Sequence, residues 1–210
     1  MSKGRTATTE TSDRSAATRQ AILDSATHVF ADRGFRGASL REIAAGAGLK
    51  SHTHIYWYFA DKSALLIAVL RGSVESARIP DLEELRALPI RDALERVAHA
   101  YLRAFESPQS QELFRILLAE SARDPAVQEE FGKAAPTTTV NVLTELLALH
   151  SANGALDVPN PRAQATIVWG QLIAFVAIRD IAPHLAGALP GIEGYVDTIV
   201  GTLLDGLRPR

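Results

Sequence analysis

Ser39, Lys50, Ser51, His52, Thr53, His54, Tyr56, Trp57, Tyr58 and Lys62 gather hydroxyls, imidazoles, an indole and two ammonium groups into one short stretch. These groups suit the recognition of a polyanion. Hydroxyls and lysines hold phosphates and fix a duplex in register. Thr and His side chains can donate to acceptors on base edges. His52 and His54 have no third ligand nearby, so a metal site is not expected. Tyr56 and Trp57 also have a packing role open to them, in the core or on the scaffold edge.

The elements that must position these groups run from Leu40 to Phe59. Ser39 lies three residues before Glu42, the capping-box spacing, so a helix starts there. Leu40, Ile43, Ala44 and Ala47 recur at helical spacing, and the alanines allow close approach of a second helix. Gly46 and Gly48 let the chain turn. Ser51 or Thr53 can cap the next helix, anchored by Ile55, one edge of Tyr56, and Phe59. This pattern predicts a helix-turn-helix whose second helix offers its first residues to a major groove. An ordinary pair of antiparallel helices is the alternative.

Charge supports the first reading. The whole chain of 210 residues has a formal net charge of -2. Residues 1–65 hold nine Lys+Arg against six Asp+Glu, net +3, and residues 66–210 hold thirteen against eighteen, net -5. A basic module on an acidic body is what local phosphate attraction needs. With 47% hydrophobic residues the chain can bury a substantial core. It has no cysteine, which excludes disulfides and thiolate metal sites and fits the cytosol. No apolar run reaches the roughly 20 residues needed to span a bilayer, so no membrane partner is expected. The first residues lack a secretory core.

The expected fold is all-α. Residues 1–18 read as a flexible basic arm, 19–65 as a three-helix DNA-binding domain, and 66–210 as a helical ligand-binding and dimerisation domain. The first helix is placed at about Arg19–Arg33, ended by Gly34, with Phe35 folding back. A long connector helix opens at Asp61 and runs to Ile79-Pro80. Helices follow after Pro89, between Ser107-Pro108 and Asp124-Pro125, and from Pro125 with a kink or interruption at Pro136. A loop spans Ser151 to Pro161. The last two helices, about Arg162–Ala182 and Gly191–Leu207, are strongly apolar.

Tyr101, Phe105, Phe114, Leu117, Phe131, Leu143, Trp169, Gln171 and Phe175 could line a cavity for a small molecule, with Arg115, Glu120 and Arg179 as further polar candidates. The aromatic and aliphatic members fit a core equally well. An apolar cavity with a few polar groups favours a largely apolar effector. Ile167, Phe175, Tyr195, Ile199, Val200, Leu203 and Leu204 could form a subunit interface, the alternative being a wholly intramolecular role. Catalysis finds little support, since His99, His150 and His184 are scattered and no phosphate loop or HExxH spacing appears. A helical adaptor that binds protein instead of DNA is the competing class.

From Arg19 to Leu70 the chain resembles the tetracycline-repressor (TetR) family of bacterial transcription regulators. The resemblance is carried by Ile22, Ala26, Phe30, Gly34-Phe35, Ser39, Ile43-Ala44, Ala47-Gly48-Leu49, Ile55-Tyr56, Tyr58-Phe59, Lys62 and Leu65. It implies a bacterial cytoplasmic, nucleoid-associated homodimer without cofactor that binds a palindromic operator. Such proteins are usually repressors released by a small molecule, activators or dual regulators being the alternative. It also implies that residues 51–54 face base edges, that Ser39, Tyr56 and Tyr58 meet phosphate or groove edges, and that Lys62 anchors the DNA backbone. Two departures stand out: Ala38 where many members have Thr, and five residues (KSHTH) between Leu49 and Ile55 where the family usually has four. The extra residue would lengthen the turn or rotate the start of the recognition helix.

Overall fold

The computed structural model describes residues 5–75 and 79–209. Among them the regular elements are helical: α1 (Arg5–Gly37), α2 (Leu40–Gly46), a 3-10 helix η1 (His52–Trp57), α3 (Lys62–Glu75), α4 (Leu82–Arg86), α5 (Ile90–Arg103), α6 (Pro108–Ser121), α7 (Pro125–Ala152), α8 (Pro161–Ile181), α9 (Pro183–Ala186) and α10 (Ile192–Gly206). The all-α expectation holds. Two compact units result, one of residues 1–73 and 108–130, the other of 74–107 and 131–210. The first therefore takes in α6 as well as the basic module, which a linear division of the chain at residue 65 does not anticipate.

In the first unit, Ile22, Ala26 and Phe30 of α1 are fully buried together with Ile43, Leu65 and Leu66. The helix begins at Arg5, well before this apolar stripe. No Gly or Pro occurs between Arg5 and Gly34, so nothing in the backbone stops the helix from extending through the polar stretch. A flexible arm up to residue 18 is thus replaced by helix from Arg5 onward. Gly34 takes φ 68, a left-handed value that breaks the regular helix as expected. Phe35 then turns back onto Phe30, with ring centroids 5.8 Å apart.

The second unit is built on α5, whose Ala93, Leu94, Val97, Ala98, Tyr101 and Leu102 form one buried face. Helices α10 and α8 both pack on α5. Arg91 strengthens the first contact by bridging Glu95 at 3.2 Å and Asp197 of α10 at 3.3 Å. Asn160 caps α8 through Ala163 N–H at 3.0 Å, with Pro161 in the first turn. The preceding loop is not loose, because Leu156 and Val158 are buried. Of the kink or interruption expected at Pro136, the interruption does not occur, since α7 is continuous through it. Residues 76–78, the expected end of the connector including Ala77, lie outside the described residues.

Candidate nucleic-acid interface

Helix α2 is set close against α1. The hydroxyl of Ser25 donates to the Ile43 carbonyl at 2.8 Å, and a Cβ on Gly46 would meet that hydroxyl at 2.3 Å. Glycine at 46 thus permits a close approach as well as a turn. The capping box of α2 forms as its spacing predicts. Glu42 N–H donates to Ser39 Oγ at 3.2 Å, and Glu42 Oε2 accepts from Ser39 N–H at 3.3 Å and from its hydroxyl at 3.0 Å. Gly48 takes φ 70 and swings the chain away.

The recognition element that follows is a 3-10 helix. Ser51 is its cap, in extended conformation, accepting from Thr53 N–H at 3.2 Å. Lys50 and Ser51 lie ahead of the first helical residue, His52. A 3-10 helix has three residues per turn, so side chains line up in three columns. Ile55, only 1% exposed, anchors the inner side, with His52 half-buried one turn before it. Thr53 and Tyr56 make an outer column, both exposed. His54 and Trp57 make the third, their rings stacked 4.5 Å apart, with Trp57 76% exposed. Tyr56 and Trp57 are therefore surface groups, not core.

Lys62 is already engaged inside the protein, which the phosphate role implied by the resemblance does not foresee. Its ammonium donates to the carbonyls of Ala38 at 2.6 Å and Arg36 at 3.4 Å, and lies 4.8 Å from the Phe35 ring centroid. The side chain thus clamps the α1–α2 turn to the start of α3. Burial pushes its pKa below the usual 10.5, opposed by the negative charge of Glu120. Glu120 is accordingly a partner of cations in the first unit, accepting from Arg123 at 3.3 Å. Asp61 caps α3 as expected, through Ala64 N–H at 2.7 Å. The clamp leaves Lys50, exposed beside the turn, as the freer cation of the two.

This turn-connected pair, with an outward polar column on its second element, sits inside a wider match. Residues 22–69 match the model of bacterial regulatory proteins of the tetR family. Residues 92–183 match the C-terminal domain of AefR-like transcriptional repressors. The HTH-type transcriptional regulator RutR of Escherichia coli K12 is 28% identical over 223 aligned positions, covering 100% of both chains. TtgW of Pseudomonas putida, an uncharacterised HTH-type regulator, is 37% identical over 48% of this chain and 72% of its own. The chain belongs to the TetR family. The solved structure of the flavonoid-responsive regulator FrrA matches with a TM-score of 0.69 at 25% identity, over 92% of this chain and 98% of its own. The protein is a sequence-specific DNA-binding transcriptional regulator.

Within this TetR-family regulator the candidate ligand residues separate. Phe114 and Leu117 belong to the first unit, and the side chain of Phe131 lies outside the described residues. Tyr101, Phe105, Leu143, Trp169, Gln171 and Phe175 belong to the second. Tyr101 and Phe105 pair with ring centroids 5.4 Å apart. Tyr101 Oη and Trp169 Nε1 are buried with no hydrogen-bond partner. Leaving such a group unpaired costs about 1–3 kcal/mol. Arg179 lies over the Phe175 ring at 5.6 Å.

The candidate interface residues separate too. Ile199, Val200 and Leu203 are buried within their own unit, on the helix that packs against α5, so they cannot form the outer face expected of them. Phe175 is buried as well, and Tyr195 packs on it at 4.3 Å while donating its hydroxyl to the Gln171 carbonyl at 3.0 Å. Ile167 is 55% exposed and Leu204 half-buried. Helical spacing alone could not separate the two sides, because α8 and α10 carry apolar residues around much of their circumference. A cleft of about 710 Å³ lies on the outer side of α5, lined by Asp92, Glu95, Arg96 and His99 and by Asp81 and Glu84. Its opposing charges gave no motif by which the sequence could reveal it.

Proposed function

We propose that this regulator acts as a homodimeric repressor. In this reading, two copies of η1 read the halves of a palindromic operator, and a small molecule taken up by the second unit releases the DNA. Acting on DNA, it would work at the bacterial nucleoid. The outward column of Thr53 and Tyr56, held by the buried Ile55 behind it, carries the reading. It places a donor and an aromatic side by side at the free surface of the recognition element. Ser51, His52 and His54 flank it, while Lys50, Ser39, Trp57 and Tyr58 supply backbone contacts. Lys62 contributes by fixing the turn. A repressor role is supported by the AefR-like repressor model, and response to a ligand by FrrA, named as flavonoid-responsive.

Two copies would have to present η1 about 34 Å apart, one duplex turn, or a multiple of it. Helix α3 passes from the first unit into the second at Ser73–Val74, and α7 crosses at Glu130–Phe131, so both helices are covalent routes from ligand to DNA. A ligand that binds the DNA-free state more tightly shifts the population toward it. Operator DNA must then weaken ligand binding by the same factor. The test is a calorimetric titration of an effector, found by thermal-shift screening, with and without a saturating duplex selected from a random pool. Equal affinities would end the ligand-release reading for that compound. Self-association is tested by Ile167→Glu, expected to give folded monomers by light scattering. An intact dimer would place the interface elsewhere.

A further inference from the structure

We infer that the cleft on the outer side of α5 binds a linear zwitterion, a molecule with an ammonium at one end and a carboxylate at the other. Such a site would stand whether or not a ligand releases DNA. The cleft holds about 710 Å³, within the range of small-molecule sites, and lies wholly in the second unit. One wall is α5, and the other runs from Ile79 to Glu84 at the start of α4. Helical spacing places Asp92, Arg96, His99 and Arg103 on one stripe of α5. The stripe begins with an anion and ends with a cation, the order that the helix dipole favours. Charges between the ends are matched within the protein: Arg96 reaches Glu84 across the cleft at 3.9 Å, and Glu95 pairs with Arg91 at 3.2 Å. The ends are not matched. Among the described residues Asp92 and Arg103 make no ion pair, and Asp81 on the facing wall makes no side-chain cap bond. His99 makes no hydrogen bond there either. Its Nδ1 is buried and unpartnered, which leaves Nε2 as the ring atom to meet a molecule in the cleft.

An ammonium, with three donors and no acceptor, suits the open carboxylate of Asp92. A carboxylate suits the guanidinium of Arg103, which can grip it with two parallel bonds, and His99 adds a further contact. Four carboxylates against two guanidinia line the cleft, so an incoming carboxylate is repelled unless it carries an ammonium of its own. Along the axis Asp92 lies about 10 Å from His99 and about 16 Å from Arg103. Helical side chains lean toward the N-terminus, so Arg103 reaches back toward His99. A chain of about 10 Å between the two charges therefore spans the stripe. Its methylenes have Ile79, Pro80 and Ala100 to lie against.

The probe is 8-aminooctanoate, whose extended chain has that length. Its comparators are octanoate and octylamine, each with one charge, 1,8-diaminooctane with two positive charges, and glycine, a zwitterion too short to span. Binding is read on the full-length chain from the NMR signals of the His99 ring, assigned by their loss in His99→Gln. The probe should bind about 5-fold more tightly than octanoate, octylamine or glycine. Asp92→Asn should lower its affinity to that of octanoate, and Arg103→Gln to that of octylamine. Both positions are exposed, so both variants should melt with the wild type. Tighter binding of 1,8-diaminooctane would reveal a merely acidic surface and overturn the proposal. So would equal binding of the zwitterion and its single-charge partners, His99 signals that move with none of the probes, or an affinity that survives both substitutions.

Discussion

The recognition segment and the centre of the second unit treat their polar groups in opposite ways. Around η1, Ser39, Ser51 and Thr53 have side-chain partners within a few residues, and those bonds lie at the exposed surface. At Tyr101 and Trp169 the polar atoms are buried and unpaired. A surface hydroxyl can exchange a local bond for a phosphate or a base edge at little net cost, because water mediates the exchange. A buried donor has no such reserve, so any acceptor that reaches it gains the whole unmet bond. A surface that meets a long charged polymer can start satisfied by its own neighbours and still exchange those bonds.

Single changes can break this contrast, and Ile55→Ala should have the largest effect. The side chain is buried behind η1, so truncation should cost about 2–5 kcal/mol of stability and abolish DNA binding. Thermal unfolding and a gel shift check both, and a stable variant would show that the columns do not hang on this anchor. Next, Thr53→Ala should cost about 1–3 kcal/mol on a selected duplex and much less on random DNA. Equal losses on the two would move Thr53 from base to backbone contact. Lys62→Met removes the donor to the Ala38 carbonyl and should cost about 1–3 kcal/mol in unfolding free energy. Loss of DNA affinity in that variant without loss of stability would restore Lys62 as a phosphate contact. Lys50→Ala should weaken all duplexes alike and lower the salt slope by about one. An unchanged slope would remove Lys50 from the interface.

The smallest effect is alkaline. Tyr101 has its pKa raised, so beyond pH 10.0 the folded chain holds a proton the unfolded chain has lost, and stability falls as pH rises. Lys62 has its pKa lowered, so just below pH 10.5 the folded chain binds fewer protons than the unfolded, and stability rises across that window. Tyr101→Phe should therefore flatten the fall in melting temperature above pH 10.0. An unaltered fall would mean that the phenol is not protected by burial.

The architecture was legible where local chemistry decides it. Ser39 with Glu42, Asp61 and Gly34 each announce an element boundary through local chemistry. Ile55 and Phe59 could be named as anchors because polar residues surround them. Reach and direction were less legible. The side chain of Lys62 is long enough for a phosphate or for the Ala38 carbonyl, and only the folded turn decides between them. Residues 5–18 lack an apolar stripe, which removes a reason to pack but not a reason to stay helical. In α10, Val200 and Leu204 look alike in sequence, and packing on α5 buries the first and leaves the second half-exposed. The meeting of Tyr101 with Trp169 depends on an encounter between α5 and α8 that no local pattern encodes.

The columns of η1 bear on how such a regulator could acquire new targets. With a period of three, a change at Thr53 or Tyr56 alters one edge of the element and leaves the column of Ile55 untouched. In an α-helix of 3.6 residues per turn, each position sits at a different angle, so a new contact tends to disturb its packed neighbours. Here the buried anchor and the exposed column are separate sets of residues. Mutational drift in operator preference can therefore proceed through variants that all still fold, and a paralogue could diverge in its target before it changes anything in its ligand unit.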